Sequence, residues 1–499
     1  MIIGIDLGTT FTAAAYLNNN QIPTICPDQA TSIMQTPSVV HIGEKGCLVG
    51  EIVEQLFAEE PELSVARFVK LAMGKDIGVH VDHQGNNYSP EAISALILKK
   101  IKRDAEVATG EPITGAVITV PEHFDEKQRL ATENAGRLAD LNVLAVVEEP
   151  VAAAVYFGLN NSEDKTVFVF DMGGGTFDAS IVQSSPEGIY VLAAEGASTI
   201  GGKNFDEEII KIAAELYLQT TSKELQGDEH WNKLRRYATN MKIALSNEHS
   251  IEHPMQLAGT MFNLLLSRSQ FEIAISPWLE ACQHVCEQAL AAQMLDWSDI
   301  DEIHLTGGST LTPSVKELIA NISNLSSDKI KQHEPHLAVA FGAALLAEQY
   351  SANSNNKTTA PPLKQTVTSN ELGIKILEQE TGRSMFHPLI EKNLPVPIEA
   401  STTVYTQQAK QEYVMLDVLQ RKDKFSHEES IGQFRFGPLP ASQKEQAVEV
   451  TMGYDSTGRV SIKANSPISG KTLEQAITQN GNLSLSATYQ QLSSLNIRS

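Results

Sequence analysis

The pattern of hydrophobic and polar positions divides the chain into two parts near residue 350. In the first part, short β-branched and aromatic runs alternate with stretches of helical period, which is typical of a layered α/β domain. The clearest predicted strands are Ala116–Val120, Val167–Phe170 and Ile303–Thr306, and the clearest predicted helices are Leu130–Leu141 and Val315–Ile322. We therefore expect one α/β domain over residues 1–350.

In the second part the hydrophobic period changes from helical to two. Val448, Val450, Met452 and Tyr454 fall on one face of a predicted strand, and a turn at 455–458 leads into a hairpin partner at 459–464. Further strands are predicted at 413–419 and 431–436. This alternation predicts an all-β sandwich over residues 367–471.

The remaining segments connect or extend these domains. The run 351–362 is polar and closed by two prolines, so residues 351–366 are predicted to be an interdomain linker. Residues 472–499 are predicted to be a short tail with a single helix from Ser486 to Leu495, and with Leu485 just ahead of its cap.

Three glycine-rich turns, each directly after a predicted strand, carry the strongest chemical signal. They are Asp6-Leu-Gly-Thr-Thr10, Asp171-Met-Gly-Gly-Gly-Thr-Phe-Asp178 and Thr306-Gly-Gly-Ser-Thr310. Glycine lets backbone N–H groups approach an anion closely, and a nearby carboxylate can hold a hydrated cation beside it. Any one of them could be an ordinary turn, but the ordered set favours the two halves of a nucleotide phosphate site.

Composition and charge narrow the function classes. The 499 residues have a formal net charge of −23, which argues against sequence-independent nucleic-acid binding because such binding needs a basic surface. Four cysteines make no disulfide framework, and Cys282 and Cys286 are interpreted as core thiols. No stretch approaches the ~20 apolar residues of a membrane span, and because the chain enters a predicted strand at once we expect no signal peptide. We therefore expect a cytoplasmic protein that does not contact membranes.

Ten further segments belong, with the glycine turns, to one ordered pattern: Thr36–Val40, Val117–Pro121, Gln128–Thr132, Glu149-Pro150 with Ala152–Ala154, Gly201-Gly202 with Phe205-Asp206, Ala338–Ala344, Leu372–Ile374, Pro388–Asn393, Val418–Gln420 and Gly432–Phe434. This pattern resembles that of the DnaK-type molecular chaperones, the heat shock protein 70 family, from Ile2 to about Lys471. The resemblance implies an actin-like α/β ATPase domain, which is a duplicated ribonuclease-H-like fold, followed by a peptide-binding β-sandwich.

The resemblance also implies roles for individual residues. Asp6 and Asp171 would hold Mg²⁺ through its water shell, and Lys70, Glu149, Thr176 and Asp178 would be catalytic. K⁺ is a further optional cofactor, with no residues assigned to it. Pro121 and Arg129 match the switch proline and relay arginine of the family. The residues implied to contact ATP or ADP are Gly8, Thr9, Thr10, Phe11, Gly173, Gly174, Gly175, Gly201, Gly202, Lys242, Ser246, Gly307, Gly308 and Ser309. Without the resemblance, Lys70 and Arg129 would be interpreted as solvated lysine and arginine side chains on helices.

The chain departs from the family pattern at the nucleotide base. Thr239 replaces a glutamate, Ile243 and Leu311 replace two arginines, and His336 stands where an aspartate is usual. Losing two guanidinium stacks and a charge-assisted contact should weaken nucleotide binding by about 2–5 kcal/mol. We expect weaker binding and faster release of ATP, with hydrolysis retained.

The segments that couple the domains also diverge. The linker segment 363–367 has one leucine and no carboxylate, which predicts loosened coupling. Ala145, Glu148 and Val151 replace the residues that bind a J-domain co-chaperone, so a conventional partner of that kind is not expected but a dedicated one remains an option. This pattern is similar to that of short, divergent bacterial members. Residues 472–499 are too few for the several helices of the family's lid, so we expect a lidless chain, and the sequence leaves open whether the lid is naturally absent or removed by truncation.

In the β domain, the resemblance places Phe386, Tyr405, Tyr413, Val414 and Leu416 around a groove for extended hydrophobic peptides. The alternative is that these residues belong to the sandwich core.

We therefore expect a monomeric, lidless, ATP-dependent chaperone. A peptide-binding protein of the same fold with a vestigial ATPase, and another actin-superfamily ATPase such as a sugar kinase or a filament protein, are the alternatives.

Overall fold

The computed structural model describes residues 1–44, 46–60, 62–158, 164–350, 363–377, 383–408, 410–422, 424–441, 445–455, 459–476, 485–493, 495 and 497–498. The predicted linker run 351–362 and the turn residues 456–458 lie outside the described residues. Two lobes, each built on a six-stranded mixed sheet, are followed by a β-sandwich.

The first lobe surrounds a sheet in the order β10-β9-β1-β2-β3, and the sixth strand, β4, pairs with β2. Strand β1 is antiparallel to β2 and parallel to β9. The elements of this lobe are β1 (Ile2–Leu7), β2 (Phe11–Leu17), β3 (Pro23–Ile25), β4 (Thr36–Pro37), β5 (Val40–Gly43), β6 (Gly46–Val49), α1 (Glu51–Glu59), β7 (His80–Val81), β8 (Asn87–Tyr88), α2 (Pro90–Thr109), β9 (Gly115–Val120), α3 (Glu126–Leu138), β10 (Asn142–Glu148) and α4 (Glu149–Phe157). All six residues of β9 are buried, which fits a sequence that is apolar except at Thr119.

The second lobe repeats this arrangement around the order β17-β16-β11-β12-β13-β18. Its elements are β11 (Lys165–Met172), β12 (Phe177–Ser185), β13 (Gly188–Ala197), α5 (Gly202–Thr221), α6 (Asp228–Asn247), β14 (Ser250–Leu257), β15 (Thr260–Ser267), α7 (Arg268–Ala292), β16 (Glu302–Thr306), α8 (Pro313–Ser323), β17 (Ile330–Lys331), α9 (Ala338–Tyr350) and β18 (Leu363–Gln365). The β11–β12 hairpin with parallel β16 corresponds to the β1–β2 hairpin with parallel β9. The duplicated, actin-like α/β architecture is therefore present.

Helices α4 and α9 pack between the two sheets through small residues. A Cβ at Gly342 of α9 would lie 1.7 Å from the carbonyl oxygen of Ala152 in α4, and a Cβ at Gly4 of β1 would lie 2.0 Å from the nitrogen of Ala344. These close approaches fix how the first-lobe sheet and the two helices lie together, and thereby the place where the ends of β1 and β11 meet.

The last domain is an all-β sandwich of two four-stranded sheets, ordered β20-β19-β22-β23 and β21-β24-β25-β26. Its strands are β19 (Glu371–Leu377), β20 (Ser384–Ile390), β21 (Ile398–Tyr405), β22 (Val414–Arg421), β23 (Glu429–Phe436), β24 (Ala447–Tyr454), β25 (Val460–Asn465) and β26 (Thr472–Ala476). Val448, Val450, Met452 and Tyr454 all lie in its core, as the alternation predicts. The sheet extends five residues beyond the predicted boundary at 471, because β26 pairs with β25.

Both ends of the sandwich are tied to the lobes. Strand β18, in the predicted linker, pairs in parallel with β13 of the second lobe. At the other end, α10 (Leu485–Ser493) packs on α2 and α3, and β27 (Ile497–Arg498) pairs in parallel with β6. The helix begins at Leu485 rather than after it, and Leu492 is 1% exposed within the first-lobe core. The described part of the tail is therefore docked on the first lobe.

Candidate functional site

The three glycine turns meet between the two lobes. A Cβ at Gly174 would lie 2.0 Å from Oγ1 of Thr10, and a Cβ at Gly175 would lie 2.9 Å from Cγ2 of Thr9. Only glycine permits this approach, so the turn after β11 and the turn after β1 face each other directly.

The third turn and the start of α5 close the same cradle from the second lobe. Ser309 donates from Oγ to the carbonyl oxygen of Gly173 at 2.8 Å, and the backbone N–H of Gly202 donates to the same oxygen at 3.0 Å. Gly307 has a φ of 80°, in the left-handed region, and its carbonyl accepts from Oγ1 of Thr310. A Cβ at Gly201 would lie 2.6 Å from the nitrogen of Gly175. The cradle is made of backbone groups at glycine positions and at a helix N-terminus, as phosphate sites are.

Carboxylates from both lobes surround the cradle. Asp171 and Asp178 are paired across the β11–β12 hairpin, while Asp6 is the penultimate residue of β1 and accepts from Oγ1 of Thr119 at 3.5 Å. Glu149 is the first residue of α4, where the positive end of the helix dipole favours a carboxylate. Asp171 has one buried carboxylate oxygen, Oδ2, without a hydrogen-bond partner among the described residues.

Lys70 places a positively charged ammonium group among these acids. It lies on a single 3-10 turn, Val69–Ala72, is 6% exposed, and forms an ion pair with Oε1 of Glu149. The interpretation of Lys70 as a solvated lysine is therefore wrong, because its side chain is buried and paired with buried Glu149.

Burial of several like charges shifts their pKa values. Desolvation, reinforced by the charge of Glu149, raises the pKa of Asp6 to about 7. Desolvation, with the charges of Glu149, Asp178 and Asp6, raises the pKa of Asp171 well above its ordinary range. Clustered acids with raised pKa values need a cation beside them to ionise together. The unpartnered oxygen of Asp171 and the glycine cradle fit a magnesium-bound phosphate.

Family comparison agrees with this geometry. The sequence model of the family described as Hsp70 protein matches residues 2–494. The chain belongs to the Hsp70 family. Hsp70 proteins are ATP-dependent molecular chaperones whose ATPase domain binds ATP or ADP with Mg²⁺, so the ATP-binding, ATPase and chaperone assignments hold at the level of the family.

At the positions predicted to contact the nucleotide base, two apolar side chains are exposed and a third side chain is hydrogen-bonded within the protein. Ile243 is 54% exposed and directly follows Lys242, and Leu311 is 48% exposed and lies two residues after Ser309. Thr239 donates from Oγ1 to Asp206 at 2.9 Å, which engages its hydroxyl within the protein.

The remaining predicted nucleotide contacts lie around the same cleft. Lys242 donates to the carbonyl oxygen of Gly202 at 3.0 Å, and Ser246 lies one turn further along α6 and donates to the carbonyl of Lys242. The carbonyl oxygen of Gly8 accepts from Ser38 at 2.8 Å, and Phe11 is 38% exposed at the start of β2. A Cβ at Gly308 would have no heavy atom within 4 Å, so Gly308 faces open space.

The predicted relay residues of the Hsp70 pattern lie behind the cleft. Pro121 follows β9, and Arg129 of α3 is 9% exposed and pairs with Oε1 of Glu148 at 2.7 Å. The interpretation of Arg129 as a solvated helix arginine is wrong, because β10 and the sandwich cover it. Glu148 and Val151 are themselves buried, so two of the three positions that would bind a conventional J-domain lie inside the protein.

The predicted peptide contacts do not lie on one surface. Val414 and Leu416 lie in the sandwich core, and Phe386 is buried beneath the guanidinium of Arg421, 4.3 Å from its ring centroid. The ring of Tyr413 is covered by Arg435 at 3.5 Å, whereas Tyr405 is 53% exposed at the end of β21. Their role in binding peptide therefore stays a prediction.

Sequence reasoning missed Glu122 and His123, which directly follow Pro121. Nδ1 of His123 lies 3.2 Å from Oδ1 of Asp178, and Glu122 is buried with both carboxylate oxygens unpartnered in the described structure. Lys392 of the sandwich pairs with Glu195 at 2.8 Å nearby. Proximity to Val117–Pro121 was the available signal, because residues next to a matching motif line the same cleft.

Among the helices of the described ranges, none combines the length and apolar character needed to cross a lipid bilayer.

Proposed function

We propose that this chain hydrolyses ATP in the cleft between its two lobes and uses the hydrolysis to control the binding of extended hydrophobic peptide segments by its β-sandwich. The observation that carries the proposal is the contact of the first-lobe turn at Thr10 with the second-lobe turn at Gly174, above buried Lys70, Glu149 and Asp171. A vestigial site would have no need to keep a cationic lysine and several carboxylates buried together, since such burial is costly.

The chain's own residues account for the chemical step. Desolvation raises the pKa of Glu149, opposed by Lys70 and reinforced by the charge of Asp178, and this makes the carboxylate a better proton acceptor near neutral pH. Glu149, Asp178 and the hydroxyl of Thr176 would orient or deprotonate the attacking water. The ammonium of Lys70 would stabilise negative charge that develops on the transferred phosphoryl group.

Two residues fit the cofactor. Asp6 and Asp171 would hold Mg²⁺ through its water molecules, and the ion would neutralise phosphate charge. The backbone N–H groups of the glycine turns would bind the phosphate oxygens.

Base recognition is proposed to be weak in this chain. Exposed Ile243 and Leu311 can contact a purine ring only through dispersion and apolar burial, whereas a guanidinium would add a cation–π term. We propose that ATP binds through its phosphates more than through its base, and that nucleotide is released quickly.

Coupling to the sandwich is supported by the docked linker. Strand β18 extends the second-lobe sheet by pairing with β13, and Val367 is 7% exposed against the lobe. The sequence predicts loosened coupling, but the linker backbone docks despite having few apolar side chains. Any movement of β13 during the nucleotide cycle would therefore be passed to the sandwich.

Phosphate release measured on the full chain tests the proposal. We expect steady hydrolysis by the wild type, with Glu149→Ala and Thr176→Ala slower by about 10²-fold, the usual contribution of a positioned proton acceptor. The exposed Glu229→Ala variant on α6 is the matched control and should hydrolyse at the wild-type rate. Equal and negligible phosphate release by all four proteins would favour the peptide-binding protein with a vestigial ATPase.

A further inference from the structure

His123 lies in the cleft, but none of the roles proposed above involves its side chain. It follows the switch proline by two residues, is almost buried, and places Nδ1 3.2 Å from Oδ1 of Asp178. A carboxylate oxygen only accepts hydrogen bonds, so Nδ1 of His123 carries the hydrogen and donates it.

The space for this contact is made by a glycine on the neighbouring strand. Gly196 of β13 is the cross-strand partner of Asp178, and a Cβ at Gly196 would lie 2.2 Å from Oδ1 of Asp178 and 3.2 Å from Nδ1 of His123. Any side chain here would separate the histidine from the carboxylate. The carbonyl oxygen of Gly196 accepts a hydrogen bond from Lys422 of the sandwich, which holds the strand against the pair.

The histidine is also held in place from its other side. The rings of His123 and Phe124 meet edge to face with centroids 5.7 Å apart, and the ammonium of Lys70 lies 5.9 Å from the centroid of Phe124. Packing against Phe124 therefore fixes the orientation of the His123 ring independently of its contact with Asp178. A side chain fixed in this way can fix its hydrogen-bond partner in turn.

We propose that His123 is a positioning residue for ATP hydrolysis, which donates from Nδ1 to Asp178 and holds that carboxylate in the orientation that directs the attacking water. The inference rests on the proposed function, because it assigns Asp178 to the water. Holding one carboxylate oxygen in a hydrogen bond leaves the second in a defined direction, so that less reorganisation is needed during the reaction.

Single-turnover ATP hydrolysis and ATP binding by the full chain test the assignment. We expect His123→Ala to hydrolyse about tenfold more slowly, the scale of loss when a side chain that orients a functional group is removed, with the dissociation constant for ATP changed by less than about twofold. His123→Asn keeps an N–H donor near the position of Nδ1 and should recover most of the rate. The exposed His83→Ala variant is the control and should match the wild type.

Two outcomes would overturn the assignment while leaving the proposed function intact. One is a wild-type rate in His123→Ala, and the other is equal loss of rate in the alanine and asparagine variants together with a lower urea midpoint in both, which indicates a structural role. If wild type and Glu149→Ala are equally inactive, the proposed function fails and the assignment of His123 fails with it.

Discussion

At the scale of single residues, desolvation raises the pKa of several acids in and around the cleft. Glu122 is the clearest case: its carboxylate is buried, and desolvation raises its pKa to about 8, opposed by Lys392 and reinforced by the charges of Asp178 and Glu195. Desolvation likewise raises the pKa of Glu126 to about 7. Buried acids of this kind make the stability of the fold depend on pH.

The direction of this pH dependence of stability follows from whether Glu122 is protonated in the folded and in the unfolded chain. Between the ordinary carboxyl pKa and about 8, folded Glu122 holds a proton that the unfolded chain releases, so its contribution to stability is lost as pH rises through about 8. The Glu122→Gln substitution mimics the protonated carboxyl group and therefore removes the contribution of Glu122 to the pH dependence of stability. We expect the urea midpoint of the wild type to fall more steeply from pH 6 to pH 9 than that of the variant, with Asp6 and Glu126 contributing equally to both. Parallel curves would show that Glu122 is ionised in the folded protein.

At the scale of elements, the tail is the part of the fold whose packing is hardest to predict from the sequence. Its helix is predictable from the spacing of Tyr489, Leu492 and Leu495, but its docking is not. The contacts that hold it, from Tyr489 to Asp140 at 2.9 Å and from Arg103 to the carbonyl of Ile497 at 3.2 Å, join residues hundreds of positions apart. Local pattern carries no information on such pairs.

Leu492 allows the docking to be measured. Leu492→Ala removes a side chain from the first-lobe core and should lower the free energy of unfolding by about 2–5 kcal/mol, as for other buried leucines. Gln490→Ala, on the exposed side of the same helix, is the control and should change it little. Urea titration distinguishes them, and equal midpoints for the two variants would mean that the tail does not pack on the lobe in solution.

At the scale of the whole molecule, the sandwich is attached to both lobes. Strand β18 leads into it from the second lobe, and α10 and β27 return from it to the first. Lys127 pairs with Glu429 and Arg459 with Glu133 on the first-lobe side, while Lys392 pairs with Glu195 on the second. Relative movement of the lobes would therefore act on the sandwich at several points at once.

The sequence predicts the parts of this architecture that repeat or that need glycine. The three turns and the alternation of β24 are visible as pattern, because a close backbone approach or a two-residue period restricts the local sequence. His123, Glu122 and the buried pair of Arg129 with Glu148 are not visible in this way, since their roles depend on which strands become neighbours.

Titration calorimetry of ATP with Mg²⁺ into the full chain tests most directly whether the two lobes bind a magnesium triphosphate between their glycine turns. We predict binding with a dissociation constant above about 1 μM. We also predict at least about tenfold weaker binding in Asp171→Asn or when Mg²⁺ is chelated, because the acids then lack their cation. Asp76→Asn, an exposed first-lobe carboxylate, should bind as the wild type does. No binding by the wild type, or equal affinity in wild type and Asp171→Asn, would contradict the account.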